Sequence, residues 1–220
     1  MSINLRYETV SPLLKSILLL VMNAPEFASF RLVGGTALSL QRGHRMSVDI
    51  DLFTDALYRT IKLEDFKLFF EKHFEYVACG NLNIQSIGEC YFVGNSASDS
   101  IKIDLFYTDP FIFPPVVSKG IRLASIEEII AMKMDVIQRT GRKKDFWDIY
   151  ELYNEYTLEK MLELHKKRYP YTHDRTLLIE QFTNFDAAEG DFEPDCLRGN
   201  YWELIKLDLI DYKNQFLSQK

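Results

Sequence analysis

The spacing of apolar residues changes several times along the chain, and each change predicts a different kind of element. Ser11 followed by Pro12 is typical of a helix start, and apolar residues then recur at helical spacing as far as Val21. The stretch from Lys62 to Phe74 has the same spacing with charges between its phenylalanines, which predicts a second amphipathic helix. From Tyr76 to Tyr107 the pattern alternates and glycines interrupt it, so antiparallel hairpins are predicted there.

Two short strands are predicted on either side of a glycine pair. Phe30 to Val33 forms the first strand, Val48 to Phe53 forms the second, and a helix from about Thr36 to Arg42 connects them. Because side chains alternate across a strand, the second strand is expected to bury Val48, Ile50 and Leu52. The opposite face of that strand then carries two carboxylates, Asp49 and Asp51.

The C-terminal half is predicted to be mainly helical. Ile121 to Ala124 is expected to form a short edge strand, and Ser125 with Glu128 forms a predicted capping box that begins a helix. Further helices are predicted from Lys143 and at about 158–168, 175–184 and 200–217. The chain is therefore predicted to have an α+β fold, with a mixed β-sheet core packed with helices at residues 1–124 and a helical region at residues 125–220.

Composition limits the classes of protein to which this chain can belong. Its three cysteines show no metal-ligand spacing, which favours reduced thiols over a disulfide framework. The apolar run from Ile17 to Met22 is far shorter than the roughly 20 residues of a membrane span, so we expect a cytoplasmic protein without a membrane partner. The net charge of −6 argues against indiscriminate nucleic-acid binding, although Arg139 to Lys144 and Lys160 to Arg168 are basic stretches.

The acidic strand and the glycine pair together predict a phosphate and metal site. Two ionised carboxylates that share one face of a strand repel each other, and a divalent cation between them removes that repulsion. Carboxylates and substrate phosphates are the usual ligands of Mg²⁺. Gly34 and Gly35 allow close approach of a polyphosphate, and a helix that starts near Thr36 directs N–H groups at it. The structural alternative is a tight turn beside a solvated acidic strand end.

Two later residues extend this candidate site. Asp104 lies in the strand-like run from Ile101 to Phe106, on the opposite face of the strand from its isoleucines. It is a candidate third carboxylate. Lys133 occupies the apolar stripe of a predicted helix, where a buried ammonium requires an anion. That anion is either a nucleotide triphosphate or a carboxylate of the protein, and Asp145 or Asp148 would be the structural partner. A lysine stem that lies along the core and reaches water is the structural alternative.

Two patches of sequence resemble one known family. The first is Gly34-Gly35-Thr36, followed by Arg45-x-Ser47-x-Asp49-x-Asp51-Leu52-Phe53. The second is Lys133-x-Asp135-x₃-Arg139, followed by Lys144-Asp145-x₂-Asp148-Ile149-Tyr150. Together they resemble the nucleotidyltransferase superfamily of DNA polymerase β, and more closely its AbiEii/AbiGii toxin branch. The resemblance covers about residues 30–153, and no known motif matches the last third of the chain.

The resemblance implies a nucleotidyltransferase core followed by a helical region that completes the active-site cleft. It implies an Mg²⁺-dependent enzyme, with two metal ions, that moves a nucleotidyl group from an NTP to a tRNA 3′ end or a protein hydroxyl. The protein is then expected to be a toxin of a toxin–antitoxin or phage-defence system, with a cognate antitoxin as its partner. The implied catalytic residues are Asp49, Asp51, Asp104 and Asp145, and the first three of these are the implied metal ligands. The implied nucleotide-binding residues are Gly34, Gly35, Thr36, Arg45, Ser47 and Lys133.

Two other classes of function stay open at this stage. A non-catalytic module could keep the same fold and use its acidic face to bind a nucleotide or a partner. A plain RNA-binding protein could use the basic region between Arg139 and Arg168, and its RNA affinity would then depend on salt but not on nucleotide.

Overall fold

A computed structural model describes residues 3–80 and 87–218. The chain divides into two compact units. The first comprises residues 1–42 and 47–124, and the second comprises residues 43–46 and 125–220. The predicted α+β class, with a mixed sheet and a helical C-terminal part, is confirmed.

Among the residues described, the first unit contains three α-helices and all of the strands. The helices are α1 (Pro12–Asn23), α2 (Gly34–Arg42) and α3 (Leu63–His73). The strands are β1 (Arg31–Leu32), β2 (Asp49–Thr54), β3 (Tyr76–Cys79), β4 (Gly88–Ser96), β5 (Asp99–Tyr107), β6 (Val116–Ser118) and β7 (Ile121–Leu123). They form one mixed sheet in the order β3-β4-β5-β2-β1-β7-β6.

Helix starts in this unit follow the local sequence signals closely. The Ser11 hydroxyl accepts a hydrogen bond from the Leu14 N–H at 3.1 Å, and Pro12 supplies the first helical residue of α1, as predicted. The helix α2 begins at Gly34, two residues earlier than predicted. Gly34 has a φ of +65°, and this left-handed conformation lets the chain turn directly from β1 into the helix.

An aromatic core lies between α3 and the sheet. Phe66 and Phe70 point inward from α3 and are buried, as the helical spacing predicts. The ring of Phe27 lies 4.8 Å from that of Phe66, and the ring of Tyr91 on β4 lies 5.1 Å from that of Phe70. These tilted pairs fix α3 on one face of the sheet.

Three details of the sheet differ from the sequence prediction. Val48 precedes β2 and is 68% exposed, so it does not belong to the buried face of Ile50 and Leu52. The predicted edge strand at 121–124 is β7, which lies between β1 and β6 rather than at the edge. The edge strand β6 was not predicted, because Pro114 and Pro115 directly before it are typical of a loop.

The second unit consists of helices and connecting segments. Its helices are α4 (Ile126–Thr140), α5 (Lys143–Leu152), α6 (Leu158–Arg168), α7 (Arg175–Gln181) and α8 (Trp202–Ser218). Residues 43–46 belong to it because they pair with a distant segment: the Met46 N–H donates to the Asp195 carbonyl at 2.8 Å, and the Leu197 N–H donates to the His44 carbonyl at 2.9 Å.

One of the two hydrogen bonds of the predicted capping box is present at the start of α4. The Ser125 hydroxyl accepts a hydrogen bond from the Glu128 N–H at 3.2 Å. The Glu128 carboxylate instead forms a fully buried ion pair with Arg168 of α6. The buried Glu128 side chain therefore joins α4 to α6 instead of completing the capping box.

Within the described residues, none of the helices is long and apolar enough to cross a membrane.

Candidate functional site

A face of the first unit's sheet carries the three predicted metal-binding carboxylates. The strands β2 and β5 are parallel neighbours, with Asp49 opposite Lys102 and Asp51 opposite Asp104. Their intervening residues, such as Ile50 and Ile103, are fully buried on the other face. Adjacent strands lie about 4.8 Å apart and alternate residues about 6.6 Å apart, so the backbone register gathers these side chains on one small surface.

Asp104 has one carboxylate oxygen engaged and one without a hydrogen-bond partner. Its Oδ2 forms an ion pair with the Lys102 ammonium on the same strand. Its Oδ1 is buried and has no hydrogen-bond partner among the residues described. Cys90 of β4 lies directly opposite Asp104, and burial, together with the effect of the neighbouring Asp104 carboxylate, raises the pKa of the Cys90 thiol to about 12. Cys90 is therefore a neutral neighbour at neutral pH.

The N-terminus of α2 lies against Asp51. A Cβ atom added to Gly34 would lie 2.7 Å from the Asp51 Oδ2, too close for any side chain without displacement of that carboxylate. The first N–H groups of a helix have no acceptor within the helix, and they carry the positive end of its dipole. The glycine pair thus brings a helix start next to a carboxylate, as the sequence motif predicted.

Thr36 and Ser47 brace the strand that carries the carboxylates. Thr36 is 1% exposed, and its hydroxyl contacts both the Asp49 backbone carbonyl and, at 2.7 Å, the Ser47 hydroxyl. Both side chains were predicted to bind nucleotide. The two hydroxyl groups bond to each other and that of Thr36 also bonds to the strand, so these contacts brace β2.

The residues of this face suit a divalent cation in their chemistry. Aspartate carboxylates are preferred ligands of Mg²⁺, and the buried, unpartnered Oδ1 of Asp104 is an acceptor that a cation would satisfy. Within residues 3–80 and 87–218, however, no group of three or more histidine, cysteine, aspartate or glutamate side chains is arranged to hold a metal ion. The backbone register supplies the common face that the sequence predicted, whereas the Asp104 side chain is directed to Lys102.

The remaining predicted site residues belong to a buried cluster of charges in the second unit. Asp148 of α5 is fully buried at its centre. Its carboxylate accepts two hydrogen bonds from the Arg45 guanidinium, at 2.7 Å and 2.9 Å, and lies 2.8 Å from the His44 Nε2. A bidentate pair of this kind fixes both position and orientation of the two side chains.

Lys133 completes this cluster from α4. Its ammonium lies 2.7 Å from the Asp145 Oδ1 and 2.6 Å from the Asp148 Oδ2, and the residue is only 6% exposed. Burial acts to lower the pKa of Lys133, but the charges of Asp145 and Asp148 outweigh it and raise the pKa. The sequence required an anion for this lysine, and the contacts seen are two carboxylates of the protein.

The carboxylates of the cluster are held in the ionised form. Burial acts to raise the pKa of Asp148, yet the charges of Arg45 and Lys133 hold that pKa well below its ordinary value. Asp145 also has a lowered pKa, because Lys133 outweighs the effect of burial. Its other oxygen accepts a hydrogen bond from the Arg142 N–H at 3.1 Å at the start of α5. Two cations and two carboxylates therefore form one ionised network.

Much of the predicted basic region is engaged within the second unit. Arg168 is buried against Glu128, Arg139 pairs with Asp135 one turn away, and Lys160 lies 3.4 Å from the Glu163 carboxylate. These pairs reduce the positive charge that the region can offer to a nucleic acid.

Comparison with known proteins identifies the family. The family model described as "Nucleotidyl transferase AbiEii toxin, Type IV TA system" matches residues 17–206. The chain belongs to the AbiEii nucleotidyltransferase toxin family. The enzyme class and the family that the two sequence patches indicated are thereby confirmed.

One protein of known sequence and two solved structures are also similar to this chain. The chain is 29% identical over 188 residues to the uncharacterized protein aq_aa25 of Aquifex aeolicus, an alignment that covers 80% of this chain and 82% of that protein. Its fold is similar to the crystal structure of JHP933 from Helicobacter pylori, with a TM-score of 0.60, 18% identity and coverage of 94% and 89% of the two chains. It also resembles MenT4, the nucleotidyltransferase toxin Rv2826c of Mycobacterium tuberculosis, with a TM-score of 0.52, 16% identity and coverage of 89% and 83%.

Two residues that contact the carboxylates of this AbiEii chain were not predicted from the sequence. His44 contacts the buried Asp148, and nothing in its local pattern separates it from a loop residue. Lys102 lies between Asp49 and Asp104, although alternation along β5 already placed it on the carboxylate face. Lys102 could therefore have been predicted from the sequence.

Proposed function

We propose that this AbiEii family enzyme transfers a nucleotidyl group from a nucleoside triphosphate to a hydroxyl acceptor in a Mg²⁺-dependent reaction. The observation that carries the proposal is the parallel register of β2 and β5, which sets Asp51 beside Asp104 and Asp49 two residues away on one face. Bound Mg²⁺ would supply charge neutralisation at the phosphates and activation of the acceptor oxygen. Asp49, Asp51 and Asp104 are the residues that would hold it.

The start of α2 is the proposed position of the triphosphate. Gly34 has no side chain between the helix start and the Asp51 carboxylate, and the helix dipole favours negative charge there. Thr36 and Ser47 keep β2 against this helix through their buried hydroxyl contact. The protein's own contribution is thus positioning and electrostatic stabilisation, which dominate phosphoryl-group chemistry.

The charge cluster of the second unit is proposed to act mainly by holding α4 and α5 together. The Lys133 ammonium already has two carboxylate partners, and the Arg45 guanidinium is bidentate with one of them. These contacts support a positioning role for Lys133, Arg45 and Asp145, and a direct role on the nucleotide or the acceptor is the alternative that the variants below separate.

The acceptor and the biological role are part of the proposal. The family description names a toxin of a type IV toxin–antitoxin system. On that basis we propose a toxin whose acceptor is a tRNA 3′ end or a protein hydroxyl, with a cognate antitoxin as partner. The engaged cations of the basic region argue for a defined acceptor over general RNA binding.

A labelled-transfer experiment tests this function. Each of the four α-³²P-labelled NTPs is incubated with the protein, MgCl₂ and either total tRNA or cell protein, and Asp51→Asn serves as the matched inactive variant. Label on one acceptor class with the wild type, and none with Asp51→Asn, is the expected result. A non-catalytic binding module would instead give a nucleotide-induced rise in melting temperature without any labelled product.

A further inference from the structure

Lys102 lies within the carboxylate face although it is not an acid. On β5 it stands directly opposite Asp49 and two residues before Asp104, so all three side chains emerge on the same surface. Its ammonium forms an ion pair with the Asp104 Oδ2. Its side chain is 38% exposed, whereas the Asp104 side chain is 16% exposed. The ammonium is therefore the more movable member of the pair.

The position of Lys102 has an electrostatic consequence. Asp49, Asp51 and Asp104 bring three carboxylates to one small surface. The ammonium of Lys102 balances one of these three negative charges. An ammonium and a divalent cation that approach the same carboxylate repel each other, and the repulsion is strong at the reduced permittivity of a half-buried surface. The contact between Lys102 and Asp104 therefore opposes cation binding at Asp104.

We propose that Lys102 is a positioning residue that competes with the divalent cation for Asp104 and so sets the cation affinity of this face. The proposal rests on the proposed function, since it requires Mg²⁺ at Asp49, Asp51 and Asp104. The ammonium keeps the Asp104 carboxylate oriented and partly neutralised until a cation arrives. It then moves toward solvent, which its exposure and flexible stem allow.

Calorimetric titration of the full chain with MgCl₂ or MnCl₂, without nucleotide, tests the competition. Lys102→Met and Lys102→Gln both remove the charge and keep much of the stem, and we expect each to bind the cation about tenfold more tightly than the wild type. Lys102→Arg keeps the charge and is expected to match the wild type. Two neutral variants are included so that poor folding of one leaves the other as a test.

The control is a lysine in an ordinary surface pair of the same unit. Lys67 lies 3.6 Å from Glu71, with side chains 53% and 48% exposed, and Lys67→Met is expected to leave the cation Kd unchanged. Equal or weaker cation binding by Lys102→Met and Lys102→Gln, together with loss of binding in Asp51→Asn, would overturn the competition and leave the proposed site intact. Wild-type binding that Asp51→Asn does not reduce, or no binding at all, would overturn the proposed metal site itself.

Discussion

The charge cluster of the second unit makes a quantitative prediction for Lys133→Met. Methionine keeps the length of the lysine stem in the buried stripe of α4 and removes only the ammonium that lies between Asp145 and Asp148. Loss of one partner from a buried ion pair destabilises a protein by about 3–5 kcal/mol, because the remaining charge stays buried. Asp148 keeps its bidentate contact with Arg45, so most of the cost is expected at Asp145.

The chain offers a selective assay for this effect. Both tryptophans, Trp147 and Trp202, lie in the second unit and are buried, so their fluorescence reports the unfolding of that unit. A loss of about 3–5 kcal/mol is a large part of the roughly 5–15 kcal/mol that stabilises a typical domain. In urea unfolding followed by tryptophan fluorescence, the midpoint is expected to fall sharply for Lys133→Met.

A surface lysine of the same unit serves as the matched control. Lys160 pairs with Glu163 at 3.4 Å, its side chain is 51% exposed, and Lys160→Met is expected to change stability by no more than about 0.5 kcal/mol. The double variant Lys133→Met/Asp145→Asn should recover part of the loss, since it removes the unpaired carboxylate. Wild-type stability of Lys133→Met combined with weaker NTP binding would refute the structural role and assign the ammonium to the triphosphate.

Two further predictions concern one residue in each unit. Gly34→Ala should destabilise the protein by roughly 1–2 kcal/mol and suppress nucleotidyl transfer, since its φ is +65° and the added Cβ would displace the Asp51 carboxylate. Gly199→Ala is the control in a transfer assay, because Gly199 also has a positive φ, +72°, but nothing lies within 4 Å of its Cβ position. Burial is the main cause that lowers the pKa of His173, so the unfolded chain binds that proton more readily. Stability of the second unit should therefore fall as the pH drops through about 6.5, and His173→Gln should reduce this slope in fluorescence-monitored urea titrations at pH 5 and pH 8.

Local signals in the sequence predicted the elements whose ends depend on one or two residues. Ser11 and Pro12 begin α1 as predicted because a hydroxyl acceptor and a proline act within a single turn of helix. The alternation along β2 and β5 likewise placed Asp49, Asp51 and Asp104 on one face, because the period of a strand is two residues wherever the strand lies in the sheet.

The features that the sequence did not predict depend on long-range pairing. The grouping of residues 43–46 with the second unit follows from hydrogen bonds to Asp195 and Leu197, about 150 positions away in the chain. Burial limited the partners of Lys133 to a triphosphate or to protein carboxylates such as Asp145 or Asp148, and the folded chain brings it to both of these aspartates.

The measurement that tests the carboxylate face most directly is pyrophosphate release from NTP by wild type, Asp104→Asn and Asp99→Asn. Asp99 lies at the start of the same strand β5, is exposed and contacts Asn95, so its substitution controls for the change of charge. We expect Asp99→Asn to release pyrophosphate at the wild-type rate and Asp104→Asn to be at least about 100-fold slower, equivalent to about 2.7 kcal/mol of transition-state stabilisation. Release by a folded Asp104→Asn at the wild-type rate would contradict the assignment of this face as the site of nucleotidyl transfer.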